Sequence, residues 1–251
     1  AQAQSLVDLY DAARSFDASY QSAKSQYDAN LFKAEQAKAA LLPTANLAMG
    51  INRINITSDV ATFERSYGNQ SATVSASQPL YRPSNVASAE QGKKTVDIAK
   101  ALLLVADQDL IVRVSQAYFD VLASGDSLTF VKAQKSAVSE QLASAKRNFE
   151  VGTATITDTR EAQAQFDLVL AQEIAAENDL RVKKIALDQL TGKANAEPKP
   201  LASPVVITPV TPDDVTRWVN QSEESHPALR QAQLALEVAQ LETQKAQAGH
   251  K

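Results

Sequence analysis

The residues SNVASAEQGKKTVDIAKALLLVADQDLIVRVSQAYFDVLASGDSLTFVKAQKSAVSEQLASAKRNFE, positions 84–150, decide the fold. They hold no proline, and their only glycines are Gly92 and Gly125. Val96, Ala99, Leu103, Ala106, Leu110, Val114, Ala117, Val121, Ser124, Leu128, Val131, Lys135, Val138, Leu142, Ala145 and Phe149 follow one another at steps of three and four. The alternation slips once, at Ala106, Leu110 and Val114, where two fours occur in a row. The mean step is about 3.5 residues, which is coiled-coil spacing with one stutter. One helix is predicted, roughly 100 Å long at about 1.5 Å of rise per residue. A helix of that length must line, brace or bridge something extended. Alanine and serine at many seats allow neighbouring helices to approach closely. A second, partly apolar set (Leu102, Val105, Asp109, Val112, Gln116, Phe119) runs beside the first. The helix is therefore expected to have neighbours on both sides, as in a wall or tube.

The rest of the composition fits long packed helices better than a thick globular core. Of 251 residues only 6% are aromatic, while Ala, Gln and Ser abound. A net charge of -4, with basic residues dispersed among acids, gives no reason to expect nucleic acid as a partner. Cysteine is absent, which suits an exported protein. The best apolar run, 101–112, is short and contains Asp107 and Asp109, so no transmembrane helix is expected. No signal peptide is visible, and a polar start at Ala1 suits a mature N-terminus.

Two stretches break the helical pattern. A helix over about 16–41 ends at Pro43, and then 44–56 and 67–80 alternate with period two. Ala45, Leu47, Met49 and Ile51 share one face, as do Ala72, Val74, Ala76 and Leu80 in the second stretch. The other faces are small or polar. Such strands resemble those of a transmembrane barrel, with 57–66 as the exposed turn, and several copies would be needed to close one. The other reading of these residues is a soluble hairpin packed on the helices.

The long helix breaks at 151–157, and a returning helix is predicted over 158–191, with Gly192 at its C-cap. The pair makes an antiparallel hairpin whose turn lies far from the strands. Five prolines between 198 and 212, around Val205, Val206 and Ile207, read as a rigid connector with one short strand. Thr211 and Pro212 open a short helix to about Ser222. Placing 226–232 over 17–23, an offset of 209, aligns Tyr20 with Leu229, Ala23 with Ala232 and Ala37 with Ala246. The match suggests duplication, with a second strand pair expected beyond position 251 and a parent protein of about 420 residues.

The tip segment FEVGTATITDTREAQAQFDLVLAQE, with QPLYRPS, SQAYFDVL and AQAGHK, resembles the TolC family of outer-membrane channel proteins, near the TolC branch. The resemblance covers nearly the whole chain, as a first repeat plus the opening helix of a second, and is most specific at 149–158. It implies a mainly α fold with a small β part. A long antiparallel coiled-coil hairpin forms the tunnel wall, and two strands enter a transmembrane β-barrel. It divides the chain into equatorial and upper tunnel helices (1–43), a strand pair (44–81), a tunnel hairpin with its tip at 150–158 (82–192), an equatorial connector (193–225) and the first helix of the second repeat (226–251). It implies a homotrimer in the outer membrane, reaching into the periplasm. This would be a duct for drugs or secreted proteins, working with an inner-membrane pump and a periplasmic adaptor, with no cofactor and no catalysis. Thr157 and Asp158 are implied as gate residues, with a tyrosine and an arginine of the second repeat as their partners. Val151, Gly152 and Thr153 are implied as the adaptor-docking tip. The family commonly has leucine where Thr153 stands, so the adaptor contact is expected to differ in detail. Lacking cysteine, the chain fits the TolC branch rather than the lipidated one.

Each of these residues has a local reading too. Asp158, with Glu161 three residues on, suits a helix N-cap, and Gly152 suits the backbone of a tight turn. His226 precedes a helix-starting Pro227, and His250 reads as a surface residue; two separated histidines make no metal site. No phosphate-cradling glycine loop or nucleophile elbow points to an enzyme. Two other classes remain: a periplasmic adaptor, which also carries a long helical hairpin, and a structural coiled-coil scaffold.

Overall fold

A computed structural model describes residues 3–57, 64–202 and 204–248. Ser5 starts α1 (Leu6–Phe16) through a reciprocal capping box: its Oγ accepts from Asp8 N at 3.2 Å, and Asp8 Oδ2 accepts from Ser5 N at 3.0 Å. The backbone leaves the helix at Asp17, whose carboxylate accepts from Tyr20 N at 2.8 Å and so opens α2 (Ala18–Ala39). The sequence expectation of one helix from about Phe16 thus missed a separate α1, whose signal is the Ser5 and Asp8 pair at capping-box spacing.

After Pro43, β1 (Thr44–Thr57) pairs antiparallel with β2 (Glu64–Ser77), from Thr44 opposite Ser77 to Thr57 opposite Glu64. The strands run further into the expected 57–66 turn than their sequences indicated, and β2 ends at Ser77 rather than Leu80. Pro79 explains the early stop, because it offers no N–H to the ladder. The centre of the turn lies outside the described residues.

Pro83 occupies the first position of α3 (Pro83–Glu150), which is uninterrupted for 68 residues. It is followed by α4 (Ile156–Thr191). The returning helix starts two residues earlier than expected because its N-cap is Thr155. Gly192 terminates it with φ 68°, its N–H bonded to Asp188 O at 2.8 Å. The short strand expected at Val205 to Ile207 is not formed. The connector's β-bridge joins Pro198 to Gln4 instead, with Lys199 N donating to Gln4 O at 2.9 Å. Prolines on either side of Val205 and Ile207 leave no continuous donor row for a ladder. Then come α5 (Val215–Ser225), capped by Asp214, and α6 (Pro227–Ala248), with His226 as the C-cap of α5. His250 lies outside the described residues.

The residues form two compact units. In the first (Ala1–Ser25 with Leu102–Pro227), Leu9 and Ala13 of α1 are buried with Leu110, Val114, Tyr118 and Val121 of α3, Leu187 of α4 and Ala196. Polar clasps surround this core. Tyr118 Oη donates to Lys199 O at 2.6 Å, and Tyr10 Oη donates to Asp107 at 2.7 Å. Burial first, then Asp107, pushes the Tyr10 phenol up to about 12. In the second (Gln26–Ala101 with Ala228–Lys251), a Cβ on Gly92 of α3 would stand 3.3 Å from Ala34 Cα of α2, so glycine permits the close approach. Lys94 meets Glu237 of α6 at 2.6 Å, and Gln91 meets Glu242 at 2.8 Å.

The bounds of α1 and α2 map onto those of α5 and α6 at one offset, 209: Leu6 onto Val215, Phe16 onto Ser225, Ala18 onto Pro227 and Ala39 onto Ala248. Their caps correspond as well, Ser5 with Asp214 and Asp17 with His226. The side-chain match is thin because α1 packs its apolar face against α3 and α4, whereas α5 buries nothing here.

Candidate functional site

Across the α3–α4 hairpin, the two polar seats of the apolar stripe hold the returning helix. Ser124, buried, donates from Oγ to Asp179 Oδ2 at 2.7 Å. Lys135 pairs with the buried Glu173, and next to it Lys132 meets Glu177 at 3.2 Å. Lys183 of α4 reaches back to Asp120 at 3.1 Å. These pairs fix the register of α4 on α3, which apolar contacts alone specify weakly. Toward its end the hairpin is joined by Thr159 Oγ1 donating to Ala145 O at 3.5 Å.

The second apolar set behaves differently. Leu102, Val105, Val112 and Phe119 are exposed, whereas the stripe seats from Val96 to Ala145 are buried or half-buried. One face of α3 is used within the chain and the other is left free.

At the tip, α3 unwinds through Val151 N to Arg147 O (3.1 Å) and Gly152 N to Phe149 O (3.0 Å). Thr153 N and Ala154 N both donate to Asn148 O, at 2.8 and 3.2 Å. Gly152 sits at φ 77°, a left-handed turn position, and a Cβ added there would meet nothing within 4 Å, so backbone geometry is its local requirement. Val151, Gly152 and Thr153 are all exposed, and with Phe149 and Ile156 they give the turn an apolar surface.

Thr157 and Asp158 lie side by side in the first turn of α4, both exposed. The expected N-cap role of Asp158 is corrected: Thr155 is the N-cap, and Asp158 is the third residue of its capping box. Asp158 Oδ2 accepts from Thr155 N at 2.7 Å and from Thr155 Oγ1 at 2.8 Å, and Thr155 Oγ1 accepts from Asp158 N. These bonds, the backbone one first, hold the Asp158 carboxyl below the usual carboxylate range, so it stays charged at neutral pH. The signal for Thr155 was in the sequence, as threonine three residues ahead of aspartate at a helix start.

Among the described residues, nothing packs on either face of the strand pair. Leu47, Met49, Ile51 and Val74 are exposed, and an isolated pair of 14-residue strands with bare apolar residues needs partners to be stable. Among the described residues, no helix is long and apolar enough to cross a membrane.

The first unit thus carries most of a long antiparallel hairpin, and the second an unpartnered strand pair. Residues 9–193 match the family model "Outer membrane efflux protein", and the chain belongs to that family of outer-membrane transport proteins. Outer membrane protein TolC of Vibrio cholerae serotype O1 is 36% identical over 248 residues, covering 99% of this chain and 56% of its own length. Alkaline protease secretion protein AprF of Pseudomonas aeruginosa is 30% identical over 250 residues, with coverages of 96% and 52%. The solved outer membrane protein VceC of Vibrio cholerae has the same fold, with a TM-score of 0.79 at 17% identity over 97% of this chain and 58% of its own. The chain spans about half the length of the curated relatives it matches.

Proposed function

We propose that the full-length protein is an outer-membrane duct for drugs or secreted proteins, assembled as a homotrimer and joined to an inner-membrane pump through a periplasmic adaptor. The observation that carries this reading is the strand pair. Its apolar face has no partner among the described residues, and lipid on one side with further strands at both edges would satisfy it. Family membership and relatives named for efflux and protease secretion support the same reading. The free apolar face of α3 suits a neighbouring helix in a tunnel wall. On this reading 44–81 are barrel strands, 82–192 the tunnel hairpin, and 1–43 with 193–225 the belt and upper tunnel. The segment 226–251 starts a second repeat.

The tip then holds the controlled element. Asp158 Oδ2 is taken up by Thr155, and among the described residues Oδ1 accepts no hydrogen bond, so one oxygen is available to a partner across the gate. Thr157 stands beside it, and the exposed turn at Val151, Gly152 and Thr153 suits docking of an adaptor. The test is extraction and conductance of the full-length protein. It should fractionate with outer membranes, require detergent, and conduct ions in planar bilayers. A protein that is released without detergent and does not conduct would refute the duct.

A further inference from the structure

Although the bounds of α2 and α6 coincide at the offset of 209, the two helices turn opposite faces to α3. On α2, Tyr27, Ala34 and Ala37 are half-buried and Asn30 is buried, and this face meets the Gly92 side of α3. Their equivalents on α6, Leu236, Ala239, Thr243 and Ala246, are all exposed. On α6 the half-buried seats are Val238, Leu241, Lys245 and Ala248, on the side where Glu237 and Glu242 meet Lys94 and Gln91 of α3. Their equivalents on α2, Ala29, Phe32, Gln36 and Ala39, are exposed, Phe32 at 76%. The buried set of each helix is the bare set of the other.

Helices of one repeat type that bury different faces have two working faces each. Gly92 and Lys94 stand about 200° apart around α3, so α3 lies between α2 and α6. The three helices make a strip with a bare helix face at either end. The bare face of α6 corresponds to the face that α2 lays on α3, and the bare face of α2 to the face that α6 lays on α3. Each end therefore fits a long helix of the α3 kind.

The inference rests on the reading above, in which 226–251 start a second repeat of a chain that assembles with its copies. α2 leads through one strand pair into α3, its own neighbour. By the same connection α6 leads into the long helix of the second repeat, which covers the bare face of α6 within one chain. The returning helix α4 packs in the first unit, so its second-repeat counterpart is no candidate for α2. We propose that the bare face of α2, centred on Phe32, is the seam for a second copy of the protein, and that the long helix of that copy's second repeat docks there.

Charge defines the seam further. On α6, Glu237 takes Lys94 at 2.6 Å and Glu242 takes Gln91 at 2.8 Å. The α2 equivalents are Asp28 and Lys33, both exposed and without an ion pair among the described residues. Asp28 keeps the charge of Glu237 and fits a cation on the incoming helix. Lys33 reverses the charge of Glu242 and fits an acceptor there. The reversal keeps the contact between copies from being exchanged for the contact within a chain.

The test uses the full-length protein in intact cells, with Phe32→p-benzoylphenylalanine as a photoprobe. Irradiation should join two copies into a species of twice the chain mass that survives boiling in detergent, and peptide mass spectrometry should place the adduct in the second repeat. Gln36 carries the probe where the Phe32 variant does not assemble. The probe at Leu236 should link only within one chain, and at Lys38, turned away from the seam, it should link no copies. Phe32 adducts confined to one chain, or none at all, in a protein that native mass spectrometry shows to be an oligomer would overturn the seam. A monomer in that measurement would remove the assembly reading itself. Asp28→Lys should cut the yield of joined copies about tenfold and Asp28→Glu should preserve it. An unchanged yield in the lysine variant would overturn the charge match.

Discussion

The guanidinium of Arg113 grips both carboxylate oxygens of Asp17, Nη1 to Oδ2 at 2.8 Å and Nη2 to Oδ1 at 3.0 Å, while its Nε bonds Asp109 at 2.7 Å. Asp17 is the hinge between α1 and α2, so this fork fixes the corner of the N-terminal helices on α3. Arg113→Met should lower stability by about 1–3 kcal/mol, the usual cost of losing charge-assisted hydrogen bonds at a partly buried site. Thermal unfolding of the full-length protein, followed by circular dichroism, checks it. Asp17→Asn in the same chain should add much less than it does alone, because the two residues act as one contact.

The same contact sets a pH dependence. Arg113 in the first place holds the Asp17 carboxyl below the usual carboxylate range. A depressed pKa contributes stability that is fully present above the unfolded value, about 4, and is lost as pH falls through the folded value. Unfolding temperature should therefore fall below about pH 4, and Asp17→Asn should flatten that part of the profile.

Gly192 and Gly152 share a positive φ, 68° and 77°, but have different surroundings. A Cβ on Gly192 would lie 2.4 Å from Phe16 Cγ, whereas one on Gly152 would meet nothing within 4 Å. Gly192→Ala should cost about 2–4 kcal/mol from left-handed strain plus overlap with the ring. Gly152→Ala should cost about 1 kcal/mol, from strain alone. Adding Phe16→Ala should recover part of the first loss and none of the second. Equal losses at the two glycines would show that the Phe16 contact is unimportant.

Lys135 and Glu173 form an ion pair inside the hairpin, with Glu173 only 8% exposed. Lys135→Leu strands a buried carboxylate and should destabilise by about 3 kcal/mol, whereas Lys135→Leu combined with Glu173→Leu should fall near the parent. Chemical denaturation of the three variants makes the comparison.

At the tip, capping and gating separate by substitution. Thr155→Ala removes the N-cap and should lower stability by about 1 kcal/mol. Asp158→Asn also weakens the cap, but it removes a charge as well, so on the proposed function it should raise closed-state conductance where Thr155→Ala does not. Equal conductance in both variants would assign Asp158 to the helix alone.

Much of this was legible from local periodicity. A 3.5-residue repeat without proline can only be a long helix, and α3 begins one residue from where that pattern placed it. Period-two alternation gave the strand pair and the apolar face carried by Leu47, Met49 and Val74. Boundary errors arose where neighbouring signals compete. Pro79 cut β2 short of an apolar Leu80, and Thr155 took the N-cap from Asp158 because its hydroxyl reaches the third N–H of the helix.

By itself, then, the sequence determined the long helices and the strand pair, because hydrophobic spacing and caps act within a few residues of the chain. The tertiary structure decided which of two apolar sets on α3 is buried, since both have helical spacing and only packing against α1 and α4 distinguishes them. It also decided that Ser124 and Lys135, polar interruptions in an apolar stripe, are the seats that meet Asp179 and Glu173. The fork between Arg113 and Asp17 spans 96 positions, a contact between helices that leaves no periodic trace in either one.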